Sequence, residues 1–292
     1  MKLILASKRG FCSGVRRSLA VMDEVLKKYS PPIYGYHDIV HNQHVIEQLQ
    51  KKGVIFVDDI DLIPKDATVV FSAHGVGLDV YQKAKAKGLT IFDATCPRVK
   101  KIHLTVQKAS QEAVECIVIG YLRHAETRGI VGQYTCKNRN IIVIESLNDI
   151  SELHLTSPET CICVMQTTFP VNMSKILLDA LKEKFPKLQA NWKYHCTVVE
   201  DRQRTVKNMT KQVNSMVILG SQTSSNAKAL KAISEQENIP TYLVDTPSQL
   251  KTSWFLNLEC VGVATSASAP EILVTQTVQW FQHHFKSIHI VS

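Results

Sequence analysis

The sequence predicts an α/β protein made of three copies of one parallel-sheet unit, and three observations predict it. Short apolar runs of strand length alternate with stretches of helical periodicity along all 292 residues, the pattern of repeated βαβ connections. The word Cys-x-x-Val occurs at Cys12, Cys96 and Cys196 ("CSGV", "CPRV", "CTVV"), each time opening a helical stretch. Counting on from each cysteine, further landmarks then arrive in the same order, the mark of internal triplication.

The opening run "KLILAS" precedes Cys12 and is expected to join the last unit. In the first unit "PPIYGY" leads to His41, 29 residues beyond Cys12; "VIFVDDIDLI" follows, then "VVFSA" ends at His74, and "TIFDAT" runs into Cys96. In the second, "CIVIGY" leads to His124, 28 residues beyond Cys96, then come "IIVIESLNDI" and "CVMQ", which ends at Thr167. In the third, "MVILGS" leads to Ser224, 28 residues beyond Cys196, then "TYLVDTPSQL" and "GVATSA", ending at Ser268. The acid or hydroxyl residue after each middle strand can cap a short turn. These runs are too many for one ordinary sheet and imply domains of residues 13–95, 96–192 and 193–292, the last together with 1–12. The final stretch "ILVTQTVQWFQHHF" reads as a helix that packs through Ile272, Leu273, Val274, Val278, Trp280 and Phe281.

Composition narrows the function. The first residues lack the apolar core of a signal peptide, and no apolar stretch reaches the roughly 18 residues of a membrane span, so a cytoplasmic protein is expected with no membrane partner. Eight cysteines in a reducing compartment point to metal or redox chemistry for some and core packing for the rest. The net charge of +8 is spread along helices beside acidic residues, which argues against nucleic acid and suits an anionic small molecule or an acidic protein. Cys116, Cys161, Cys163 and Cys260 lie in apolar strand words, the 161/163 pair on one strand face, and Cys136 reads as a loop thiol.

The three repeated cysteines carry the sharper reading. In "DATCPRVKKIH" Cys96 stands directly before Pro97 at a helix start, where backbone N–H groups and the helix dipole stabilise a thiolate. Ligands of open parallel sheets collect at the carboxyl ends of the strands. Three units about a pseudo-threefold axis would therefore bring Cys12, Cys96 and Cys196, with a ring of polar strand tips, to one central cavity. Three thiolates can hold a 4Fe-4S cluster with one iron lacking a protein ligand, a place for substrate. A zinc site is the weaker reading, since structural zinc draws ligands in close pairs; three structural thiols would be the default for any one alone, but do not explain the equivalent positions. His41, His74, His124, the "GSQTSSN" loop (220–226) and Ser268 offer hydrogen-bond donors that suit a diphosphate, although singly each also reads as a core residue or helix cap. Glu126 is the one carboxylate of this set; beside bound anions its pKa is expected to rise, as a proton donor requires, and Thr167 can relay a proton to or from it.

From "RGFCSGV" through "VHN", "FSAHGV", "FDATCPRVKKIH", "HAETRGIVGQY", "QTT" and "GSQTSSN" to "SASAPEILV", the chain resembles the 4-hydroxy-3-methylbut-2-enyl diphosphate reductase family of the non-mevalonate isoprenoid pathway. The resemblance implies three α/β domains in a trefoil around a central iron-sulfur cluster on Cys12, Cys96 and Cys196. It also implies a diphosphate site of His41, His74, His124, Ser224, Ser225, Asn226 and Ser268, a proton-delivering Glu126 and a substrate contact at Thr167. The implied reaction removes the allylic hydroxyl with two electrons and two protons, giving isopentenyl and dimethylallyl diphosphate, with reduced ferredoxin or flavodoxin as electron donor. The chain departs from the family pattern at Ala125, commonly Pro, at Val199, commonly Thr, and at Ser266, near a common Gly whose positive φ would strain a serine. Two rivals make different predictions. Quinolinate synthase also puts three cysteines on a 4Fe-4S cluster but lacks the "SAHGV" and "HAE" words, whereas a zinc-stapled nucleic-acid-binding protein would be colourless and bind in a salt-dependent way.

Overall fold

Every strand pairing among the described residues, 1–190 and 196–291 of this computed structural model, is parallel. β1 (Lys2–Leu5) is followed by α1 (Ser13–Lys28), β2 (Ile33–Tyr36), α2 (Gln43–Lys51), β3 (Val54–Val57), β4 (Thr68–Phe71), α3 (Leu78–Ala86) and β5 (Thr90–Asp93). Next come α4 (Pro97–Gln111), β6 (Cys116–Ile119), α5 (Ala125–Val131), β7 (Ile141–Ile144), α6 (Leu147–Ser151), β8 (Ile162–Met165), α7 (Val171–Lys184) and β9 (Gln189–Ala190). The last stretch holds α8 (Thr197–Met209), β10 (Ser215–Leu219), α9 (Ser225–Gln236), β11 (Thr241–Val244), β12 (Cys260–Thr265), α10 (Glu271–His284) and β13 (His289–Val291).

These strands form three sheets of the same internal order: β3-β2-β4-β5, β7-β6-β8-β9 and β11-β10-β12-β1-β13. The order is that of a repeated unit, with β1 standing beside β12 (Leu3 opposite Val261) in the place that β5 and β9 take in the other two. β13 is an addition that the apolar pattern does not announce: three residues, two of them exposed, that extend the third sheet beyond β1. The described residues divide into two compact units. One comprises Met1–Arg16, Val40–Gln48 and Thr197–Ser292 and holds the five-stranded sheet; the other comprises Arg17–Ile39 and Leu49–Cys196 and holds the two four-stranded sheets.

Helices cover both faces of the central strands, which explains why these read as continuous apolar runs. In β10 Val217 and Leu219 enter one core with Leu3, Leu273 and Phe281, whereas Met216 and Ile218 enter another with Val206 and Leu230. β6 does the same: Ile117 and Ile119 pack with Leu177 and Leu181 of α7, Cys116 and Val118 with Ile102 and Val106 of α4. Cys161 and Cys163 lie on one strand face in the first of these cores, and burial raises both thiol pKa values, that of Cys161 to about 12. The C-terminal helix packs as its sequence implies through Leu273, Val274 and Phe281, but Ile272 turns outward and is half-exposed.

Short turns after the middle strands are capped as expected in two of three cases. Asp59 accepts from the Asp61 N–H at 2.9 Å, and Ser146 opens α6 in a capping box with Asp149. Thr246 instead bonds Ser248 through its hydroxyl, leaving its turn without that cap.

Candidate active site

Within the larger unit, the tips of β4, β6 and β8 carry His74, His124 and Thr167. His124 caps α5: its Nδ1 accepts from the Glu126 N–H at 3.1 Å, which fixes the ring and starts the helix that bears the carboxylate. The His74 and His124 rings meet edge to face with centroids 5.6 Å apart, and the Ser72 hydroxyl lies 3.1 Å from His74 Nδ1. Glu126 is 2% exposed. Its Oε1 accepts from the Thr167 N–H at 2.5 Å and its Oε2 from the Thr167 hydroxyl at 2.8 Å. Burial raises its pKa to about 7 against the opposing pull of those two bonds. The shift thus comes from desolvation and needs no neighbouring anion, a different cause from the one the sequence suggests.

Gln166 locks this pair together. Fully buried, it accepts from the Tyr121 N–H at 3.0 Å and the Thr127 hydroxyl at 3.2 Å through Oε1, and its Nε2 donates to the Thr168 hydroxyl at 2.7 Å. The loop before α5 and the tip of β8 are therefore held by one amide. Its sequence signal was the "QTT" word, which drew attention to the threonine alone.

Within the other unit, the tips of β10 and β12 bring Ser224 and Ser268 to the same end of one sheet. Ser224 caps α9 by accepting from the Ala227 N–H at 3.3 Å, with Ser225 and Asn226 in the first turn. Asn226 is 3% exposed, yet neither oxygen nor nitrogen of its amide has a hydrogen-bond partner among the described residues. Buried amides are rarely left so, and the pair of orphaned atoms fits a site built to grip a polar ligand. Ser268 donates to the His41 carbonyl at 3.0 Å, and Asn42 accepts from the Val45 N–H at 3.1 Å to start α2. Arg202, buried in α8 and not singled out by the sequence, donates to the carbonyls of Gly10, Thr265 and Ser266 and to the Thr265 hydroxyl at 2.6–3.1 Å. It clamps the loop before Cys12 to the tip of β12.

Each of the three repeated cysteines directly precedes a helix: Cys12 before α1, Cys96 before α4 with Pro97 in its first turn, and Cys196 before α8. All three are half-buried thiols. Cys12 donates its N–H to the Ala267 carbonyl at 3.0 Å and receives the Val15 N–H on its sulfur at 3.4 Å; Cys96 donates its N–H to the Ala73 carbonyl at 3.0 Å, next to His74. Below Cys96, burial works against ionisation of Asp93, but hydrogen bonds from Thr95 and the charge of Lys100 hold its carboxyl under the usual range. Ser266 is not among the positive-φ residues, so no backbone strain attaches to it, and Val199 is simply buried in α8. Ala125 occupies the first position of α5, where a proline would also fit.

The model of the LytB protein family matches residues 3–282. A 4-hydroxy-3-methylbut-2-enyl diphosphate reductase of Francisella philomiragia is 41% identical over 279 residues, covering 95% of this chain and 88% of the relative; that of Shewanella oneidensis is 40% identical over 280 residues, covering 96% and 88%. A solved structure of the E-1-hydroxy-2-methyl-but-2-enyl-4-diphosphate reductase from Plasmodium falciparum superposes with a TM-score of 0.91 at 31% identity, covering 99% of this chain and 92% of that one. A solved (E)-4-hydroxy-3-methyl-but-2-enyl diphosphate reductase gives 0.68 at 30% identity, over 97% and 99%.

Proposed function

This chain belongs to the LytB family, and we propose that it is a 4-hydroxy-3-methylbut-2-enyl diphosphate reductase that forms isopentenyl and dimethylallyl diphosphate. The observation that carries the reading is the Glu126–Thr167 pair: a buried carboxyl with a pKa of about 7, held on both oxygens, at the tips of two adjacent strands. A group so poised is half protonated near neutral pH and delivers a proton to a leaving hydroxyl oxygen. Two electrons and two protons balance the reaction, as the allylic C–O bond breaks, a C–H bond forms and water leaves.

His41, His74, His124, Ser224, Ser225, Asn226 and Ser268 take the diphosphate in this reading. The orphaned amide of Asn226 and the polar residues at the carboxyl ends of parallel strands support it. Cys12, Cys96 and Cys196 would hold one 4Fe-4S cluster, leaving one iron without a protein ligand. The donor set fits, because all three are thiols outside any disulfide and all stand at helix N-termini, which stabilise thiolates. When bound, the cluster supplies single electrons and a Lewis-acidic iron for the hydroxyl oxygen. Thr167 keeps Glu126 oriented, and its hydroxyl, already on Oε2, passes protons to it. A reduced ferredoxin or flavodoxin is the electron donor in this reading, and the net charge of +8 favours such an acidic carrier. The reading places the protein in the cytoplasm and divides it into domains 13–95, 96–192 and 193–292 with 1–12, a division supported by the recurring strand order. No helix among the described residues is long and apolar enough to cross a membrane.

The test is anaerobic purification with iron, sulfide and zinc analysis, followed by addition of 4-hydroxy-3-methylbut-2-enyl diphosphate with dithionite-reduced viologen. About four irons per chain and viologen oxidation only in the presence of that diphosphate are expected. Zinc in place of iron, or a cluster that ignores the diphosphate, would overturn the assignment.

A further inference from the structure

The geometry points to Ser266 as a positioning residue that primes Ser268 to donate a hydrogen bond to an anionic oxygen. Ser266 is fully buried at the end of β12, and its Oγ lies 3.2 Å from Ser268 Oγ. A hydroxyl has one proton to give. Ser268 gives its own to the His41 carbonyl at 3.0 Å, so the proton between the two serines belongs to Ser266. A hydroxyl that accepts a hydrogen bond is polarised and becomes the stronger donor. Ser268 therefore stands ready to swing its proton from the His41 carbonyl to a ligand oxygen while Ser266 continues to hold its lone pair.

The surroundings keep Ser266 in that role. Arg202 donates to the Ser266 carbonyl at 3.1 Å and to its neighbour Thr265 at both oxygens, which pins the backbone. On the other side Gly220 makes room: a Cβ there would come within 2.9 Å of both Ser266 Cβ and Oγ. The serine hydroxyl is thus wedged between a bare glycine and its partner serine, with the backbone of its own strand tip fixed by a guanidinium.

This inference rests on the reading of Ser268 as a diphosphate contact, and the test separates the two. Binding of inorganic diphosphate to the anaerobically purified protein is measured by calorimetry for the wild type, Ser266→Ala, Ser266→Gly, Ser268→Ala and the Ser266→Ala/Ser268→Ala double variant, with far-UV melts as a check on folding. Ser266→Ala and Ser266→Gly are each expected to weaken binding about 5-fold, the scale of one net hydrogen bond. The double variant should bind no worse than Ser268→Ala alone, because Ser266 acts through Ser268. In turnover the loss should fall on KM rather than kcat. A loss in Ser266→Gly without one in Ser266→Ala would make the side chain a space-filler and overturn the inference, as would additive losses in the double variant. If Ser268→Ala itself binds like the wild type while Ser266→Ala does not, the assignment of Ser268 fails and the inference goes with it.

Discussion

Glu126 shows how burial converts a side chain into a reagent, and the same burial makes it a pH-dependent element of stability. Its folded-state pKa of about 7 lies above the ordinary 4.5, so the folded chain holds a proton that the unfolded chain releases between those values. The stabilising contribution is complete below about pH 4.5 and disappears as pH rises through about 7, a change of roughly 3 kcal/mol across the window. Glu126→Gln cannot ionise and should lack that slope. Urea unfolding of both proteins at pH 5 and pH 8 measures it, and a wild-type-to-variant difference independent of pH would contradict a desolvated carboxyl. The same variant should retain its iron but lose turnover. Thr167→Val removes a hydrogen bond that favours the charged form, so it should move the pKa of Glu126 further up, seen as an alkaline shift in the pH profile of kcat.

At the scale of elements, α4 does two jobs along one length. Its start places Cys96 beside the His74 loop, and its second turn buries His103, 7% exposed, with a pKa that burial lowers to about 4. The His103 ring lies directly under Gly75, which has φ +74°, and a Cβ at Gly75 would fall 2.5 Å from His103 Cε1. Gly75→Ala therefore meets both a left-handed backbone and a rigid ring, at a cost on the order of 1–3 kcal/mol from the backbone alone. The expected result is a lower melting temperature together with weaker diphosphate binding, since the turn that must give way carries His74. Unchanged binding in a destabilised Gly75→Ala would show that His74 does not depend on this turn. α8 plays the matching part in the other unit through Arg202, whose hydrogen bonds reach loops 63 and 192 residues away in sequence.

Across the whole molecule, the features that repeat were legible and the features that join were not. Three cysteines at helix starts and six polar residues at strand tips recur at fixed offsets, so alignment of the chain with itself locates them before any coordinate is known. Arg202, Gln166 and His103 look like ordinary residues of a helix, a strand end and a helix, and only tertiary contact shows that they hold the loops between. Ser266 misled for a related reason: comparison with a glycine suggested strain, whereas the space comes from Gly220 across the sheet. The placement of the thiols has a consequence of its own. Each follows a loop and opens a helix that is packed onto a sheet with a complete apolar core, so none is needed to build that core. Cys12→Ser, Cys96→Ser and Cys196→Ser should therefore each yield a folded protein with normal far-UV circular dichroism and with iron falling from about four per chain to well below one. Cys136→Ser, whose residue hydrogen-bonds only the Ser110 hydroxyl through its backbone among the bonds seen, should keep its iron. Full iron in any of the first three variants would remove that residue from the ligand set, and loss of iron in the fourth would mean that a thiol outside the repeat takes part.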